Sequence, residues 1–176
     1  MDTNNKVDLT ISGFGVAPGG DYGTVRISGR GKITGDITCN ELIITGSADA
    51  MGAVSCSRLH INGEAGIHGD LKAKELKVRG AGDFKSSVAT DDFSVSGTAH
   101  AEKSINAGTA KISGSVHVKG DLLADSFSSS GMFEVSGLLS ADTVDITLDL
   151  STSKAREIGG ERITAKVGVT GLSVLR

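Results

Sequence analysis

Gly29, Gly46, Gly63, Gly80, Gly97, Gly114 and Gly131 recur at every seventeenth position, with no insertion or deletion. A second series, Gly35, Gly52, Gly69, Gly120 and Gly137, keeps the same step, with Ser86 and Lys103 in its two remaining places. A period this short and this strict means one structural unit stacked on itself. A coil of similar turns is the only economical way to bury such a chain.

The residues between the glycines say what the unit is. Val25, Leu42, Leu59, Leu76, Phe93, Ala110, Phe127 and Val144 form one column. Two places on lie Ile27, Ile44, Ile61, Val78, Val95, Ile112, Ser129 and Ile146. Alternate residues of a strand share a face, so both columns point inward. A second inward pair follows the first glycine, from Gly31/Ile33 to Phe133/Val135, and a third follows the second glycine, from Ile37/Cys39 to Leu139/Ala141. Gly82 stands beside Phe84, a small-for-large exchange that close packing requires. Three alternating strands per turn predict an all-β fold: a single-stranded parallel β-helix, triangular in section, with one 17-residue repeat per turn. The period-two pattern, the frequent glycines and the β-branched columns exclude a helical reading. The glycines are expected at corners, supplying backbone angles that other residues reach only with strain.

Three segments follow. Residues 1–24 read as an N-terminal strand (Val7, Leu9, Ile11) and a Gly-rich loop from Gly13 to Gly20. Residues 25–150 are the coil. Residues 151–176 read as a closing turn and a terminal strand (Ile163, Ala165, Val167, Val169) of the same domain, with the polar stretch 147–156 a turn or short helix.

Composition narrows the function classes. The net charge is −3 with both signs interspersed, which leaves no footprint for nucleic acid. No apolar run reaches the ~18 residues that a bilayer demands. The start, Met1 to Lys6, is polar and resembles no secretory signal, which points to the cytoplasm.

Candidate chemistry is sparse. Cys39 and Cys56 share a column one turn apart and read as buried free thiols, since stacked in-register side chains suit a disulfide poorly. His100 and His117 share an outward column without a third ligand at metal-binding spacing; His60 and His68 stand apart. The column of His68, Lys85, Glu102 and Lys119 alternates charge around Glu102, and Glu41, Arg58 and Glu75 alternate likewise. Such neighbours contribute about 0.2–1 kcal/mol each. Asp36, Asp70 and Asp121 follow corner glycines. Gly31-Lys32 is followed by Ile33 and makes no phosphate loop. No catalytic residue, metal ligand or cofactor site is expected.

The cadence I-x-G-x-x-x-I-x-G-D-[IL], seen from Ile27 to Ile37 and Ile61 to Leu71, and similarly from Ile112 to Leu122 with Val118 at the second Ile, resembles the bactofilins. So does the closing stretch from Gly137-Leu-Leu-Ser-Ala141 to Glu157-Ile-Gly-Gly160. That resemblance implies a right-handed β-helix that polymerises into filaments without polarity and without nucleotide. It also implies a cytoplasmic scaffold at the inner face of the membrane, serving envelope, shape or motility proteins, with a paralogous bactofilin as a further partner. The N-terminus carries no apolar-basic segment for direct membrane attachment.

End-to-end stacking would use the outermost turns. The expected contacts are Val7, Leu9, Ile11, Val25 and Ile27 at one end, and Phe127, Phe133, Ile146, Ile163 and Val167 at the other. The alternative is a hexapeptide-like acyltransferase or another β-helix binding module. The acyltransferases use turns of three sixes, however, whereas the spacings here are 6, 6 and 5.

Overall fold

The computed structural model describes residues 6–148 and 154–167. Every regular element among them is a strand, and every strand pairing is parallel. The strands stack into a solenoid of about nine turns. At a spacing of ~4.8 Å per turn, the rod is roughly 43 Å long.

Each regular turn consists of one eight-residue strand and one four-residue strand. Ile37–Ile44 followed by Ser47–Ala50 is typical, and Leu71–Val78 followed by Ala81–Phe84 repeats it. The long strand covers two faces of the triangle because it bends in the middle. Cys39 and Leu42 point inward while Asn40 and Glu41 both point out, and Asn40 drops from the ladder that joins Cys39 to Cys56 and Glu41 to Arg58. The other two corners follow Ile44 and Ile33.

The interior is the set of columns expected from the sequence. Leu42, Leu59, Leu76, Phe93 and Phe127 are fully buried, as are Ile61, Ile67, Leu71 and Phe84. A Cβ on Gly82 would sit 2.9 Å from the Phe84 ring, so the small residue makes room for the large one. Phe127 and Phe133 meet edge to face, 5.3 Å apart. The two polar residues buried in these columns are satisfied. Ser129 donates to the Gly131 carbonyl, and Thr90 donates to that of Asp92.

The repeated glycines differ from expectation in their reason. Among the described glycines only Gly20 has a positive φ (157°), and it belongs to neither series. The first series is glycine because turns approach too closely there. A Cβ on Gly80 would overlap the Gly63 carbonyl, and one on Gly97 the Gly80 carbonyl. That carbonyl is already engaged from above, since Ala81 N–H donates to Gly63 O at 2.8 Å and Thr98 N–H to Gly80 O at 2.8 Å. Steric exclusion, not backbone freedom, repeats the residue at every turn.

The loop expected at Gly13–Gly20 is instead part of the coil. Phe14–Ala17 is a strand lying on Arg30–Ile33, and Leu9–Ile11 lies on Val25–Ile27. This first turn is one residue short. Ala17 and Gly20 are separated by Pro18-Gly19, where Ile33 and Ile37 are separated by Thr34-Gly35-Asp36. Leu9 therefore pairs with Val25, where the regular period would set it on Arg26, and the short corner keeps the first turn facing as the next one does. Ile11 and Ala17 go inside; Phe14 and Val16 go outside.

The last turn is irregular in the opposite sense. Val135 pairs with Ala155, Leu139 with Ile158 and Val144 with Ile163, with a register shift between Val135 and Leu138. Lys154–Gly159 and Arg162–Val167 are strands, so the part of 147–156 that is described forms no helix. Residues 149–153 and the expected strand residue Val169 lie outside the described residues.

Candidate assembly interface

The outer surface is held by ladders of mutually paired groups. At the second corner, Asp36 Oδ1 accepts the Ala53 N–H at 2.8 Å, and Asp121 Oδ1 accepts the Leu138 N–H at 2.8 Å. Asp70 accepts the Ser87 N–H and the Ser86 hydroxyl. These carboxylates cap amides of the next turn that no strand reaches. The two bonds from Ser86 and Ser87 hold the Asp70 carboxyl below its ordinary range.

Charge pairs occupy the other outward columns. Lys119 Nζ lies 2.6 Å from Glu102, and Lys85 Nζ lies 2.8 Å from Asp83 and 3.8 Å from Glu102. The Lys119 and His100 hydrogen bonds lower the Glu102 carboxyl to about 2. Arg58 reaches Glu41 at 3.6 Å, while Glu75 turns to Lys77 and His60. Those two partners, Lys77 first, hold Glu75 below its usual value. His100 and His117 stack in parallel with ring centroids 4.9 Å apart, and each meets a carboxylate, Glu102 and Glu134 respectively. Among the described residues no three His, Cys, Asp or Glu side chains converge as a metal site.

The ends of the coil are different. Leu9–Ile11 and Phe14–Ala17 each pair on one side only, with Val25–Ile27 and Arg30–Ile33. Lys6 to Asp8 lie beneath the next strand, where Gly23 N–H donates to the Val7 carbonyl and Thr24 N–H to Asp8 Oδ1. At the far end, Lys154–Gly159 and Arg162–Val167 pair only with Met132–Leu148. Among the described residues, then, each end presents a row of strand edge without a neighbour.

Large apolar side chains collect at these same ends. Val7, Phe14 and Val16 are 71%, 87% and 72% exposed at one end. Ile163 and Ile158 are 51% and 38% exposed at the other. Ile163 stands in the column of Val144, which is fully buried, so it is the next interior residue without its lid. Open edges and uncovered apolar residues in one place are the features of a surface that adds further strands.

A family model described as bactofilin, polymer-forming cytoskeletal, matches residues 4–89. Over these residues, just under half of its length, the chain is similar to the bactofilins. No curated protein and no solved structure matches it. The matched stretch covers the N-terminal turns, and the same 17-residue register continues past it to Ile146. The bactofilin description is that of a structural, polymer-forming protein, which agrees with a surface whose polar groups are paired with each other. No helix among the described residues is long and apolar enough to cross a membrane.

The structure divides the expected contact residues of this chain into two groups. Val7 is on the surface, Leu9 is half-buried and Ile163 is exposed. Val167 lies in the terminal strand, where its backbone pairs with that of Leu148. Ile11 sits just inside the first turn. Val25, Ile27, Phe127, Phe133 and Ile146 are interior, and all but Phe133 have a described strand partner on either side. Those five would reach another molecule only if terminal turns came away. Phe14, Val16 and Ile158 join the ends without having been expected. The signal for the first two was present: Ile11-Ser-Gly-Phe-Gly15 repeats as Ile27-Ser-Gly-Arg-Gly31, one place short of the period that defines the turns after it.

Proposed function

We propose that this chain is a bactofilin along its whole length and a cytoplasmic scaffold whose subunits stack end to end into filaments without nucleotide. One observation carries the reading. Each end of the coil combines open strand edge with exposed apolar side chains, Val7, Phe14 and Val16 at one end and Ile158 and Ile163 at the other. A second coil set on either end continues the ladder at its own ~4.8 Å spacing and covers inward-column residues such as Ile158 and Ile163, which lie over buried Leu139 and Val144. The turns themselves provide the template, so no hydrolysis step is needed to drive addition.

Like ends meet in this proposal, in keeping with the filaments without polarity that the family resemblance implies. A junction of like ends is a two-fold contact in which one patch faces its own copy. Filaments then serve as a platform for envelope, shape or motility proteins at the inner face of the membrane.

The test is negative-stain electron microscopy of the purified, untagged protein in physiological salt without nucleotide. Filaments a few nanometres wide are expected. A charge at one end, as in the double variant V7D/F14D or the single variant I163D, should stop growth at dimers joined through the untouched end. Monomers from either variant would mean that unlike ends meet. Filaments of wild-type length from both variants would overturn end-to-end stacking.

A further inference from the structure

The middle bend of the long strands is underfilled. Its last inward column reads Cys39, Cys56, Ala73, Thr90, Ala107 and Ala124, where the neighbouring columns hold Leu, Ile, Val and Phe. Small residues there leave a groove of about 730 Å³ along the coil, and both cysteines line it. These are the two cysteines of the chain, and both are free. Cys39 is 4% exposed on the floor of the groove, and Cys56 is only half-buried beside it.

We propose that Cys39 and Cys56 form a thiol–disulfide exchange site that reacts with low-molecular-weight disulfides of the glutathione class and closes into a staple between two turns. The two residues are register partners on adjacent parallel strands. Neighbouring strands lie ~4.8 Å apart, inside the Cα window of about 4.4–6.8 Å that a disulfide spans. A flat ladder would hold the side chains side by side and resist closure. This pair sits at the bend, however, where Asn40 and Ser57 drop from the ladder, and Cys56 is less deeply buried than Cys39. The local departure from a flat ladder gives the two sulfurs room to close.

The groove supports the chemistry. The neighbouring Cys56 thiol, with help from the nearby Lys6 ammonium and against burial and Asp21, holds the Cys39 thiol below its ordinary value. The same neighbour, together with burial, pushes Cys56 up. The pair therefore favours the thiolate at Cys39 over Cys56. Lys6, Lys72 and Lys74 line the same groove and favour an anionic visitor, with Asp91 and Asp125 at its farther part.

The steps balance. The protein thiolate attacks one sulfur of the small disulfide and expels the other half as a thiolate, leaving a mixed disulfide. The second cysteine gives its proton to the expelled thiolate and attacks the protein-bound sulfur, releasing the second small thiolate, which takes up from solvent the proton that the first cysteine lost. Two protein thiols and one small disulfide become one protein disulfide and two small thiols.

The reduced full-length protein is incubated under argon with graded ratios of reduced and oxidised glutathione, then read by intact mass spectrometry and thiol titration. Loss of two hydrogens, disappearance of both native thiols and reversal by dithiothreitol are expected. The variants C39S and C56S should each stop at a glutathione adduct. In addition, the oxidised wild type should unfold at a higher urea midpoint than the reduced form. Thiols that stay free at every ratio in the native protein, yet oxidise after denaturation, would overturn the proposal. So would wild-type adducts that never close.

Discussion

The glycine column shows how a single atom sets a repeat. Where a Cβ would enter the carbonyl of the turn below, alanine must push two turns apart, whereas Gly13 has nothing within 4 Å of its missing Cβ. Gly80→Ala should therefore destabilise the coil by about 1–3 kcal/mol, the usual range for forced overpacking. Gly13→Ala should stay within ~0.5 kcal/mol, as surface changes do. Urea unfolding of the two variants compares them directly, and equal costs would refute the steric account. The carboxylate ladders make a second prediction at this scale. Glu102 is lowered from 4.5 to about 2, with Lys119 and then His100 as its main partners. A depressed carboxyl adds stability that is complete above its unfolded value and is lost as pH falls through its folded one. The melting temperature should fall between pH 4.5 and about 2, with Asp70 and Glu75 adding in the same direction. Glu102→Gln should give a shallower fall over that window, and an unchanged slope would remove Glu102 from the account.

At the scale of the strand, register decides which side chains face water. The first turn lacks one residue at Pro18-Gly19, and this short corner lets the strand Phe14–Ala17 keep the facing of Arg30–Ile33, with Ala17 inside and Phe14 and Val16 outside. Adding one glycine between Pro18 and Gly19 lengthens only the corner, which then has the three residues found between Ile33 and Ile37. Stability should change by less than ~1 kcal/mol, because loop length acts weakly on closure. One glycine added between Gly15 and Val16 should cost several times more, because it misplaces Ala17 against Ile33. Thermal melts of the two insertions should separate clearly, and equal melting temperatures would show that the first turn is not held in the register described. The strand also explains two substitutions that look alike on paper. Phe14→Ser alters an exposed ring and should leave stability within ~0.5 kcal/mol, whereas Ile11→Ser puts a hydroxyl inside the first turn and should cost ~2 kcal/mol or more.

For the whole molecule, the decisive property is that a solenoid buries its faces but not its ends. Assembly by edge pairing and apolar contact should withstand salt, since at 1 M the screening length falls to about 3 Å and charge pairs between subunits lose their effect. The proposed filaments should persist at 1 M NaCl when imaged or pelleted. Dissolution at that salt would shift the junction from apolar contact to ion pairing.

Much of this protein is legible in one dimension. The alternation of Val25, Ile27, Leu42 and Ile44, punctuated by glycine at every seventeenth position, determined the strand pattern, the inward columns and the coil, because strand geometry permits one face per alternate residue. The reason for the glycines was not legible: φ angles and inter-turn approach are both silent in a linear pattern, and only stacked turns show which one applies. The ends were hidden for a related reason. A repeat identifies residues by their similarity to the next turn, so it cannot say where stacking stops or that Phe14 and Val16 lie one place out of frame. The cysteine column was visible, but the groove beside it was not. A cavity is the space left when three faces meet at a corner, and that depends on every neighbouring turn at once.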